Sequence, residues 1–119
     1  MKTKWIEKTS NLAFSSDSWG LGMHMHCPAC GHDYTHQTRI EVYDRQDDAS
    51  DAPGQRVIVD GVKVHIDRDM TNNPSYRRDG IRIYFWCELC GSERPFSVTI
   101  VQHKGRTFFQ AQYYVEDKS

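Results

Sequence analysis

The sequence predicts a mostly β, antiparallel domain, and three observations carry that expectation. Apolar residues recur at every second position in several runs, and those runs are rich in β-branched and aromatic side chains. Gly-containing turn pairs sit between them. No stretch keeps a 3.6-residue apolar period for more than about two helical turns. The 119 residues suit one domain, with a core small enough that an added cross-link would help it.

The elements follow in chain order. Trp5, Ile6, Leu12, Phe14 and Trp19 are expected to pack along a sheet edge. Residues 38–44, TRIEVYD, read as a strand. An acidic loop, DRQDDASDAPG (44–54), follows and ends in a Pro-Gly turn. QRVIVDGVKVHI (55–66) reads as a hairpin turning at Asp60-Gly61, a favoured type I′ pair. That turn sets Val59 opposite Val62 and Val57 opposite Val64 on one apolar face. Arg56, Ile58, Lys63 and His65 fall on the other face, which is expected to be wetter.

Residues 67–80, DRDMTNNPSYRRDG, are dense in turn formers, and Pro74 pushes Asn73 towards extended backbone. IRIYFWC (81–87) alternates Ile81, Ile83 and Phe85 with Arg82, Tyr84 and Trp86, a strand ending on Cys87. The last hairpin, 95–114, is expected to turn at Lys104-Gly105. His103 then pairs with Arg106, Phe96 with Tyr113, Val98 with Ala111 and Ile100 with Phe109. A one-residue slip would scatter those side chains over both faces.

Charge narrows the function. Fifteen basic and sixteen acidic side chains give a net charge of −1, which argues against a protein that grips nucleic acid through a strong positive field. No run approaches the roughly 18 apolar residues needed to cross a membrane. The lysines of MKTKWIEKTSNLAF lead into no apolar segment of the kind a signal peptide needs. The expected location is therefore cytoplasmic, where paired cysteines more often hold metal than form structural disulfides.

Those cysteines are the clearest chemical signal. Cys27-Pro28-Ala29-Cys30-Gly31 and Cys87-Glu88-Leu89-Cys90-Gly91 repeat one pattern, with 56 residues between Cys30 and Cys87. Cys-x-x-Cys at a tight turn points two thiolates at one ion, and the glycine supplies the positive φ that often follows. Two such turns give the closed tetrahedral shell of a structural Zn2+ site. Soft thiolates also suit iron, the less expected ion. Four sulfurs leave no open position for water or substrate, so the ion is expected to be structural and the protein not an enzyme. Two disulfides are the competing use of the same residues. A dithiol redox centre is less expected, because neither motif opens a helix.

The two knuckles and their flanking strands resemble the zinc-ribbon superfamily, found in transcription factors, RNA polymerase subunits and many small phage and bacterial proteins. The resemblance covers residues 21–45 and 80–114 of a single domain spanning 1–119. It implies one structural zinc held by Cys27, Cys30, Cys87 and Cys90. Residues 46–79, an inserted hairpin with two loops, are a departure, since a common ribbon separates its pairs by about 15–20 residues. Insertions on a scaffold are where specific function tends to sit.

Other residues compete for attention. His24 and His26 share a strand face, with His32 or Asp33 near enough to complete a second ion site; the plainer reading has them hydrogen-bonding around the thiolates or facing solvent. Ribbon-bearing nucleases add an Asp-His pair and a later Asn and His, an arrangement not found around His65, Asn72 or His103, so a metal-dependent nuclease is the distant alternative. Arg77, Arg78 and Arg82, with Lys104 and Arg106 at a hairpin tip, could contact phosphates while Tyr76, Tyr84 and Trp86 stack on bases. The plainer reading is tip charge for solubility and aromatics in the core. Asp44, Asp47, Asp48 and Asp51 would repel DNA. The favoured expectation is a non-catalytic module that binds a protein, part of nucleic-acid-handling machinery, as phage-like small regulators or inhibitors do. Direct DNA or RNA binding is the alternative.

Overall fold

The computed structural model describes residues 2–8, 12–16, 20–45, 54–76 and 78–117. Their strands are β1 (Lys2–Lys8), β2 (Phe14–Ser16), β3 (Met23–Met25), β4 (Thr35–Arg45), β5 (Gly54–Asp60), β6 (Lys63–Asp67), β7 (Gly80–Cys87), β8 (Gly91–His103) and β9 (Arg106–Asp117). No helix occurs among the described residues, so none is long and apolar enough to cross a membrane. Seven strands form one antiparallel sheet in the order β1-β9-β8-β7-β4-β5-β6, and β2 pairs with β3 separately. The N-terminal segment does lie on a sheet edge, as β1 against β9. Trp19 and the acidic positions Asp47, Asp48 and Asp51 lie outside the described residues.

The two long hairpins test the sequence reading in opposite ways. The β8–β9 register is the expected one, with Phe96 opposite Tyr113, Val98 opposite Ala111 and Ile100 opposite Phe109. Lys104 and Gly105 both take positive φ, 51° and 77°, the requirement of a type I′ turn. In β5–β6 the turn moves by one residue. Asp60 pairs with Lys63, so Gly61 and Val62 are the central pair, and Val59 meets Val64 while Val57 meets Ile66. Gly61 has φ 63° in the first central position, as a type II′ turn demands. A glycine there needs no help from Asp60, which is why the Asp-Gly signal misled.

The wetter-face expectation holds for Lys63 and His65, which are exposed, and fails for Arg56 and Ile58. Ile58 is 7 % exposed, whereas Val64 on the opposite face is 66 % exposed. The cause is the segment after β6, residues 68–76, which folds back over part of the polar face. Asp67 Oδ1 accepts from Arg56 Nε at 2.8 Å, and the Asn72 carbonyl accepts from Arg82 Nε at 3.2 Å. Gly54 lies against Met70, and Gly80 against Asn73 and Pro74. Short side-chain-to-backbone bonds brace the segment internally: Thr71 N to Asp69 Oδ1, Ser75 N to Asn73 Oδ1, and Arg78 N to Ser75 Oγ.

Under that cover lies a polar interior. Glu41 on β4 is fully buried, and its register partner on β7 is Arg82, 4 % exposed. Tyr43 Oη donates to Glu41 Oε1 at 2.6 Å, and Arg39 Nη2 lies 2.7 Å from Glu41 Oε2. Arg82 donates to Ser97 Oγ at 2.9 Å and to Gln112 Oε1. Burial lowers the affinity of Arg82 for its proton, partly offset by the nearby tyrosines and Glu41; burial and Glu41 raise both Tyr43 and Tyr84. The charges are retained because each has an opposite partner and hydrogen bonds.

Candidate metal centre

On the other face of the sheet, the described residues cover the apolar side chains at the end where β7 delivers Cys87. The cluster of buried residues there is Cys27, Cys87, Phe96 and Val98, with Leu12, Met25, Phe85 and Cys90 packed against it. Phe85 and Phe96 stack with centroids 5.5 Å apart. Cys27, Cys87 and Cys90 are thus part of the core, while Cys30 stands exposed at its edge.

Each knuckle is shaped by its own backbone. Gly31 N donates to the Cys27 carbonyl at 2.8 Å, Cys27 N to the His32 carbonyl at 2.9 Å, and Ala29 N approaches Cys27 Sγ at 3.4 Å. Gly31 and Gly91, the residues after each second cysteine, have φ of 82° and 90°, which a side chain would resist. Glu88 N donates to the Tyr34 carbonyl at 3.1 Å and ties the second knuckle to the exit of the first.

All four cysteines are free thiols with their sulfurs grouped at metal-binding distance. Cys27 Sγ lies 4.0 Å from Cys90 Sγ, and Cys30 Sγ lies 3.6 Å from Cys87 Sγ. A disulfide needs about 2.05 Å. Four sulfurs about 2.3 Å from one tetrahedral ion sit about 3.8 Å apart, the separation seen. The four cysteines are therefore positioned to bind one metal ion.

Without an ion, burial and then the adjoining sulfurs push the Cys90 thiol up to about 12, and burial raises Cys27 too. Burial acts the same way on Cys87, but the Cys90 and Leu89 amides, together with the Cys30 and Cys27 sulfurs, outweigh it and lower that thiol. An entering ion must displace the protons these thiols hold, so its affinity falls as pH falls.

Three of the expected basic residues lie at one end of the sheet, where Gly80 at the start of β7 pairs with Val101 near the end of β8. Lys104 and Arg106 are exposed at the β8–β9 tip, and Arg78 is exposed near the start of β7. The eight residues of β7 place that end roughly 25 Å from the cysteines. Arg82 is not a surface residue at all, because its guanidinium is buried in the polar interior. Arg77 lies outside the described residues. Among the expected stacking residues, Tyr76 is exposed, Tyr84 is half-buried beneath Arg39, and Trp86 stacks on His36 with centroids 4.5 Å apart.

Fold and site together define an all-β protein with a four-cysteine metal-binding cluster set against its core. Compared with known proteins, the chain matches no family model, no curated protein and no solved structure.

Proposed function

We propose that the chain is a non-catalytic module, stapled by one structural Zn2+, whose sheet presents an apolar surface to a protein. The zinc reading rests on the chemistry of a closed four-thiolate shell, with iron as the competing ion. The partner reading rests on one observation. Beyond the covered end, the apolar face stays open: Val42, Val59, Val64, Ile66 and Phe109 are all exposed. Strand register sets Val42 opposite Val57, Val59 opposite Val64, and Ile100 opposite Phe109, so these residues share one side of the sheet. Contiguous apolar area of that kind marks a protein interaction surface more often than a nucleic-acid one. By analogy with small zinc-ribbon proteins, the partner is a component of nucleic-acid-handling machinery and the chain its regulator or inhibitor.

The test is capture of the tagged protein's partner from a bacterial lysate, with and without nuclease, at about 50 and 200 mM salt. A protein partner is retained in all conditions and lost when Val64 and Ile66 are changed to Asp. Direct nucleic-acid binding gives the reverse: nuclease abolishes recovery, salt weakens it steeply, and Lys104→Glu with Arg106→Glu removes it.

A further inference from the structure

A second group of potential ligands stands beside the four cysteines. His24 lies on β3 opposite Ser15 of β2, His26 follows one residue after β3 ends, and Asp33 sits in the bend that leaves the first knuckle. Asp33 Oδ1 is 2.8 Å from His26 Nδ1 and 3.7 Å from His24 Nε2. Donor atoms of the three residues all fall within 4.8 Å of one another. Bonds of about 2.0–2.2 Å to imidazole nitrogen and carboxylate oxygen put neighbouring donors of a tetrahedral ion about 3.4 Å apart. The observed separations bracket that value.

Direction matters more than distance. His26 Nδ1 is buried and makes no hydrogen bond of acceptable geometry, although the Asp33 carboxylate is within reach. A simple His–Asp pair would align N–H with oxygen; donors aimed at a shared point between them do not. The other nitrogen, His26 Nε2, lies 2.6 Å from Ser15 Oγ. Metal-bound imidazoles commonly make such a bond with their outer nitrogen, which orients the ring and leaves the inner lone pair free for the ion.

We propose that His24, His26 and Asp33 form a second metal site, with Ser15 as a positioning residue, for a divalent first-row transition ion such as Zn2+. Its chemistry differs from that of the cysteine shell. Three nitrogen and oxygen ligands leave at least one coordination position for water or an anionic oxygen, as open zinc sites do and closed ones do not. Exposure differs as well: Asp33 is 59 % exposed and His24 36 %, whereas Cys27 and Cys87 are buried, so this ion exchanges more readily than the one held by the four cysteines.

Metal counting against buffered Zn2+ tests the proposal on the full chain. The wild type should saturate at two equivalents, the second removed first by a mild chelator. Asp33→Asn and His24→Ala should each saturate at one equivalent and keep the thiolate charge-transfer absorption of a Co2+-loaded cysteine site, which shows that the core remains folded. Ser15→Ala should keep both equivalents but weaken the second by about tenfold. Saturation of the wild type at a single equivalent overturns the site, as does a second equivalent that survives both Asp33→Asn and His24→Ala.

Discussion

At one end of β7, Cys87 meets three other thiols beside an apolar cluster; further back along the strand, Arg82 faces Glu41 in a polar one. Both regions bury groups that would cost dearly if left alone, and both answer with a closed set of partners. They differ in where the partners come from. The cysteine cluster needs an ion from solution and two short turns of chain. The polar cluster needs β4, β7, β8, β9 and the carbonyl of Asn72 from the covering segment, all brought by the fold. One region is a local motif completed by metal, and the other is a consequence of the whole sheet.

Breaking the metal end should have the largest effect. Structural zinc supplies about 10–16 kcal/mol in apparent binding free energy, against about 5–15 kcal/mol for the stability of an ordinary domain. Stripping the ion, or making Cys90→Ser, is expected to abolish cooperative thermal unfolding and the near-ultraviolet dichroism of the stacked aromatics. Full metal content with an unchanged melt in Cys90→Ser would show that the cluster does not hold the fold.

Glu41→Ala attacks the other region and ranks next. It leaves Arg39, Tyr43 and the buried Arg82 without their anion, a loss of about 3–5 kcal/mol, read by denaturant unfolding of the metal-loaded protein. A Glu41→Ala melt within 1 °C of wild type would mean that water serves the same groups. The two regions are chemically separate, so Glu41→Ala should leave metal stoichiometry untouched.

A smaller effect is expected where the cover meets the sheet. A Cβ at Gly80 would stand 2.4 Å from Asn73 Oδ1 and 2.9 Å from Pro74. Gly80→Ala should therefore cost about 1–3 kcal/mol and raise amide exchange in residues 70–79 before it affects the knuckles. Exchange that rises first at 27–34 would place the strain at the wrong end.

Asp67→Asn gives the smallest effect and carries a pH signature. Its hydrogen bond with Arg56, and further bonds from the Asp69 amide and His65, hold the Asp67 carboxyl well below the usual range. A depressed carboxyl stabilises the fold above its unfolded value near 4 and loses that contribution as pH falls through the folded one. Wild type should therefore melt slightly above Asp67→Asn at pH 7, with the gap closing under strong acid. A gap that widens in acid would reverse the sign and refute the linkage.

Particular residues show what could be read in advance. The alternation Ile81, Ile83, Phe85 is local, and it placed β7 to within a residue. Phe96, Val98 and Ile100 match their partners only in one register, so the last hairpin was legible too. Ser15 beside His26 was missed because nothing near Ser15 in the chain points at a histidine 11 residues on; only the β2–β3 pairing brings them together. Arg82 was read as a surface cation because alternation separates two faces without saying which of them another segment will cover.

Local sequence therefore determined the strands, the turn glycines and the four-cysteine set, because each depends on backbone sterics, period-two patterning or ligand chemistry within a few residues. Tertiary structure alone decided which face of the sheet is covered. The polar face is buried around Glu41, Ile58 and Arg82, where the segment after β6 returns across it, while Val42, Val59, Val64, Ile66 and Phe109 of the apolar face stay exposed. Burial of a face depends on contacts between residues far apart in the chain, and a strand's own alternation carries no record of them.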